Sequence, residues 1–187
     1  HSNLCIVLKA LGRLEEAISR YQKIITTNPD YAEAHYNLGN ALKESGKLDD
    51  AVASFNKAIT IKPDYFEAHS NLSNALKGLE KLDEAVASYK KTIAIKPDYA
   101  EAHSNLGVIL QELGELDEAV TSFNTALAIN PDLAVAHFNL GNVHSELGNL
   151  DEAVTCYDKS IIINPDYAEA HSDLGVTLIN LGKLDDA

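Results

Sequence analysis

The chain lacks a basic excess, a long apolar run and a cysteine framework, and each absence removes a class of function. Fifteen Lys and Arg stand against 28 Asp and Glu, a formal net charge of −13. Binding a nucleic-acid backbone needs clustered cations that displace counterions, and no basic stripe is present to supply them. No apolar stretch reaches the length of a membrane span or resembles a cleavable leader, so neither nucleic acid nor a membrane is expected as partner. The two cysteines, Cys5 and Cys156, lie far apart in sequence. They read as reduced packing thiols, which leans towards a reducing, cytoplasmic setting. A glycine-rich phosphate loop is also missing.

What the chain does have is a period. The stretch Ala32 to Tyr65 recurs at a shift of 34 residues, giving four full copies at 32–65, 66–99, 100–133 and 134–167. Partial copies at 1–31 and 168–187 flank them, so the chain is read as a piece of a longer array. A fixed internal period means that contacts run between neighbouring copies, and one array over residues 1–187 is expected in place of a globular core.

Within the unit, Ala34, Leu38, Ala41 and Leu42 fall at i, i+4, i+7 and i+8, the stripe of an amphipathic helix, here helix A. Leu48, Ala51, Val52, Phe55, Ala58 and Ile59 repeat the helical spacing and define helix B. Gly12, Gly46, Gly114, Gly148 and Gly182 follow helix A, where a left-handed residue closes a helix. The second full copy has Glu80 there, and a strained or reshaped turn is expected, at roughly 1 kcal/mol. All five prolines, Pro29, Pro63, Pro97, Pro131 and Pro165, follow helix B and stop it. The next residue, Asp30, Asp64, Asp98 or Asp166, stands three before Glu33, Glu67, Glu101 or Glu169, the N-cap to N3 spacing of a carboxylate capping box. Asp132 faces Val135 and loses half of it. Gly39, Gly107, Gly141 and Gly175 on helix A, with Ala17, Ala51, Ala85, Ala119 and Ala153 on helix B, allow close approach of the axes. Tyr21, Phe55, Tyr89, Phe123 and Tyr157 then fill the space one turn on.

The pattern His35-x₂-Leu38-Gly39-x₂-Leu42, then Ala51-x₃-Phe55, then Pro63 resembles the tetratricopeptide repeat (TPR) family, and it recurs in register through every copy. His stands where the family often has Trp, and Leu, His or Thr where it often has Tyr. The resemblance implies an all-α fold, an α-solenoid of stacked helix-turn-helix units in a right-handed superhelix, with A helices lining a concave groove that holds a segment of another protein. His-Ser-Asn-Leu at His69 to Leu72 and His103 to Leu106 is similar to arrays attached to O-GlcNAc transferases and related bacterial proteins. That implies substrate recruitment for a larger protein-modifying transferase, an alternative to a free-standing interaction scaffold.

Asn3, Asn37, Asn71, Asn105 and Asn139 recur at one helix-A position, with Asp173 in the last copy, and the family places that position in the groove. An amide offers an acceptor and two donors, so it can bond a peptide backbone whatever the peptide's side chains. Successive A helices lie about 10 Å apart, close to the roughly 9–10 Å that an extended peptide advances in three residues. The ladder matches that period. The other reading is that Asn suits a solvated helix face and was copied by duplication. Asn40, Asn74 and Asn142 form a neighbouring stripe with Val108, Val176 and Ile6, and Lys9, Lys43 and Lys77 make the N-terminal end more cationic. The carboxylate clamp by which some TPR proteins grip the Hsp70 and Hsp90 C-termini needs cations where this chain has Ser2, Tyr36, Ser70, Ser104, Phe138 and Ser172, so that partner is excluded.

No catalytic residues, metal ligands or cofactors are expected. Six of seven histidines, His1, His35, His69, His103, His137 and His171, fall at the Trp-like position and read as packing residues. His144 lies two turns from His137, about 10.5 Å along the axis, too far for one metal. Neighbouring Ser and His side chains diverge by about 100° on a helix and form no nucleophile–base pair. The chain is therefore read as a non-enzymatic scaffold for a protein or peptide. A third alternative is end-to-end self-association, through Leu174, Leu178, Ile179 and Leu181 of the last helix A, whose partner helix retains only Leu184 to Ala187.

Overall fold

Two stripes of apolar residues per period, separated by a glycine turn and closed by a proline, become two helices per repeat. The computed structural model describes residues 13–182. Among them are ten α-helices: α1 (Leu14–Thr27), α2 (Ala32–Glu44), α3 (Leu48–Ile61), α4 (Phe66–Gly78), α5 (Leu82–Ile95), α6 (Ala100–Glu112), α7 (Leu116–Ile129), α8 (Ala134–Glu146), α9 (Leu150–Ile163) and α10 (Ala168–Asn180). The even-numbered helices are the A helices and the odd-numbered ones the B helices. Asn3, Cys5, Ile6, Lys9, Gly12 and Leu184 to Ala187 lie outside the described residues.

The helices fall into two compact units, residues 1–97 and 98–187. In the first, α1 packs on α2, α2 on α3, α3 on α4 and α4 on α5; in the second, α6 packs on α7 and so on to α10. The all-α repeat architecture expected from the period is the one observed.

Three of the hairpins are tight because one residue has no side chain; the second full copy has Ser73 at that position. A Cβ added at Gly39 would lie 2.6 Å from Phe55 Cε1, at Gly107 2.9 Å from Phe123 Cε1 and at Gly141 2.6 Å from Tyr157 Cε1. Helix B brings Ala51, Ala85, Ala119 and Ala153 to the contact, all fully buried, and Phe55, Tyr89 and Phe123 behind them are also fully buried. Burial of each aromatic stabilises the hairpin by about 1.5–3 kcal/mol.

The A-to-B turn is a Schellman motif. Lys47 N–H donates to the Leu42 carbonyl at 2.9 Å and Gly46 N–H to Lys43 at 3.1 Å, and Gly46, Gly114, Gly148 and Gly182 all have φ between 72° and 78°. The second copy keeps the same bonds, Lys81 N–H to Leu76 at 3.0 Å and Glu80 N–H to Lys77 at 2.9 Å. Glu80 is therefore driven to φ 59°, the one non-glycine residue with positive φ among the described residues. That turn is strained and not reshaped.

The B-to-A turn corrects one expectation. Tyr31, Tyr65, Tyr99, Leu133 and Tyr167 are the N-cap residues, and none of these helices has a side-chain cap bond. The aspartates are not caps because Pro and Asp form the centre of a four-residue turn, closed by Tyr31 N–H to Asn28 at 3.3 Å and Tyr65 N–H to Lys62 at 3.1 Å. Each helix thus begins one residue later than the Asp-to-Glu spacing implies. Glu33, Glu67, Glu101 and Glu169 still lie in the first turn, where a carboxylate complements the helix dipole.

The histidines make a different bond to this turn. His35, His69, His137 and His171 place Nε2 at 2.8, 3.0, 3.0 and 2.9 Å from the carbonyls of Pro29, Pro63, Pro131 and Pro165. A carbonyl only accepts, so Nε2 carries the proton and donates. His35 and His137 are buried, as expected of packing residues, whereas His69 is half-buried and His171 exposed, and these four tie their A helices back to the proline turns before them.

Candidate functional site

Because Leu38, Ala41 and Leu42 turn towards α3, the opposite face of α2 is left to Tyr36, Asn37, Asn40 and Lys43. The same holds for each A helix. Asn37, Asn71, Asn105 and Asn139 are all half-buried on that face.

In the first unit Asn71 is the centre of a bridge between α2 and α4. Its Oδ1 accepts from Lys43 Nζ at 2.9 Å, and its Nδ2 donates to the Tyr36 hydroxyl at 3.0 Å. The ladder amide and the lysine expected from sequence are thus brought together, with Tyr36 as a third member. Tyr36 also packs on Tyr65 and Phe55, with ring centroids 4.9 and 6.1 Å away. Burial, together with neighbouring Tyr36, Glu67, Glu33 and Tyr31, pushes the Tyr65 hydroxyl far above its ordinary pKa. In the second unit Phe138 repeats the cluster, 4.9 Å from Tyr167 and 6.0 Å from Tyr157. There Gln111 Nε2 donates to Glu146 Oε1, linking α6 to α8.

The neighbouring asparagine stripe has a structural duty that sequence reasoning missed. Tyr89 donates its hydroxyl proton to Asn74 Oδ1 at 2.7 Å, and Tyr157 to Asn142 Oδ1 at 2.8 Å. Both tyrosines are almost wholly buried, so the amide oxygens satisfy hydroxyls that water cannot reach. A signal was present: Val108 stands where the aromatic is Phe123, and Asn stands with each of these two tyrosines. Asn40 shares its repeat with Phe55, which has no hydroxyl to offer. Lys77 extends the face of α4.

Between α8 and α10 this face opens into a cleft of about 230 Å³ lined by Asn142, Ser145, Glu146, Tyr157, Asp173 and Val176. Burial, and then the Asp173 carboxylate, push the Tyr157 hydroxyl up to about 12. A larger cleft of about 500 Å³ lies on the B-helix side of α8, where His137, His144 and Cys156 line its wall. His137 Nδ1 and His144 Nδ1 are buried there without a partner. Burial lowers the His137 pKa, with Lys159 adding to the effect against the Pro131 carbonyl bond, and burial raises that of the Cys156 thiol. Among the described residues no three His, Cys, Asp or Glu side chains come together as a metal site, and no helix is long and apolar enough to cross a membrane.

Stacked helical hairpins of one length, each closed by a proline turn, define a helical-repeat solenoid. The chain belongs to the tetratricopeptide repeat family: the TPR repeat profile matches residues 7–46, 39–80, 74–114 and 145–182, and a second tetratricopeptide repeat profile matches 98–161. Several solved structures are similar to it. A crystal structure of MamA is 25% identical with a TM-score of 0.81, covering 87% of this chain and 95% of that one. YrrB, described as a TPR protein with an unusual peptide-binding site, is 26% identical with a TM-score of 0.77, covering 91% and 88%. TTC0263, a thermophilic TPR protein from Thermus thermophilus, is 26% identical with a TM-score of 0.71, covering 95% and 96%. No curated protein matches the sequence. As a TPR array, the chain is a protein-interaction scaffold.

Proposed function

We propose that the A-helix face binds an extended segment of a partner protein, with the ladder amides of Asn37, Asn71, Asn105 and Asn139 bonding the partner's backbone. The observation that carries this is the Lys43–Asn71–Tyr36 bridge. There a ladder amide accepts with its oxygen and donates with its nitrogen on one face, the two bonds that a peptide N–H and C=O would take up. The peptide-binding description of YrrB supports the reading by likeness.

Nothing in this function asks for catalysis by the repeats. The test is binding of the intact chain to a library of extended peptides, beside a variant with the four asparagines changed to Ala. Each lost hydrogen bond costs about 0.5–1.5 kcal/mol, so affinity should fall by roughly 2–6 kcal/mol across unrelated peptide sequences. Unchanged affinity in the variant would show that the ladder is not the binding element.

A further inference from the structure

We infer that the A-helix face of the second unit selects a segment carrying a Lys or Arg side chain, seated in the cleft between α8 and α10. This rests on the peptide-binding reading and names the chemistry of the partner. The three A helices of this unit carry Glu101, Glu112, Glu146, Glu169 and Asp173 and no Lys or Arg. The described A helices of the first unit, by contrast, carry Lys43 and Lys77 as well as carboxylates. The cleft itself is amphipathic. Asp173 and Glu146 supply charge, and Val176 supplies an apolar wall. That combination suits a methylene stem ending in a cation. Glu146 gives one oxygen to Gln111 and Asn142 gives its oxygen to Tyr157, which leaves the second Glu146 oxygen and the Asp173 carboxylate to receive the guest. Asp173 occupies the ladder position, where the four full copies carry Asn, so its charge is not a requirement of the fold.

The same substitution supplies the test, because Asp173→Asn installs a residue that the fold accepts elsewhere. Fluorescence anisotropy would compare alanine- and proline-rich peptides of one length with Lys-Lys, Gln-Gln or Glu-Glu at the centre, using the full chain at low salt. The Lys peptide should bind about threefold to tenfold more tightly than the Gln peptide. Asp173→Asn or Glu146→Gln should erase most of that preference. Asp158→Asn, which removes an equal charge from the exposed face of α9, should keep it. Equal affinity for Lys and Gln peptides in the wild type, or a preference that survives in both cleft variants or disappears equally in Asp158→Asn, would overturn the inference. If the four-Asn variant loses all three peptides while the wild type treats them alike, the groove stands and the basic preference falls. If the wild type binds none of them, both fall.

Discussion

Glu80 is the residue at which this chain departs furthest from its own rule. A side chain at φ 59° costs about 1 kcal/mol relative to glycine, and the flanking Schellman bonds hold it there. Glu80→Gly should therefore stabilise the protein by about 1 kcal/mol, read as a higher midpoint in urea with an unchanged slope. His137 is the second residue with a measurable signature. Its proton sits on Nε2 and its Nδ1 is buried without a partner, so a second proton has no acceptor. Below the ordinary value of 6.5 the unfolded chain takes up a proton that the folded repeat resists. Stability at this residue is therefore complete above that value and declines as pH falls through it towards the folded pKa. His137→Asn should shrink the loss of stability between about pH 7.5 and 5.5, measured by denaturant unfolding.

At the scale of the helical hairpin, the informative pair is Tyr157 with Asn142. Asn142→Val removes the acceptor of the Tyr157 hydroxyl and should cost about 0.5–1.5 kcal/mol, whereas adding Tyr157→Phe should recover most of it. The double variant copies Val108 and Phe123 of another repeat, so a thermal-unfolding cycle should show strong coupling. These hairpins also show what was legible beforehand. Helix spacing and the glycine turns follow from steric rules that act within a few residues, and the Gly39–Phe55 type of contact was readable because small and bulky residues recur at fixed positions of successive copies. The aspartate caps were misplaced because Pro-Asp can open a helix or centre a turn, and only the following backbone bond decides. The Asn74–Tyr89 pair and the His-to-proline bonds were missed because their partners lie fifteen and six residues apart in sequence, where helical periodicity says nothing about side-chain pairing. The A-helix face itself was named from the resemblance, and its bridging network came only with coordinates.

For the whole molecule the dominant quantity is charge. A net charge of −13 on 187 residues sets up self-repulsion that compaction increases. The exposed pairs that oppose it, Lys47 with Glu15 and Arg13 with Glu16, are each worth under about 1 kcal/mol. Screening should therefore remove more repulsion than attraction. The unfolding midpoint should rise when salt goes from about 0.01 to 0.15 M, as followed by circular dichroism, and a fall would mean that attractive pairs dominate.

The histidine bond at the turns of Pro29, Pro63, Pro131 and Pro165 has a consequence for how such a chain can grow. The acceptor is a main-chain carbonyl, which every copy offers alike, while the Asn–Tyr pairs lie inside single copies. A copy inserted, deleted or exchanged by recombination therefore brings its own internal pairs and meets a joint that does not discriminate. Among the side-chain bonds that cross between copies, Lys43 to Asn71 and Gln111 to Glu146 belong to the A-helix face, while Lys47 to Glu15 is an exposed pair between an A-to-B turn and α1. Shuffling would leave the framework standing and rewrite what it recognises.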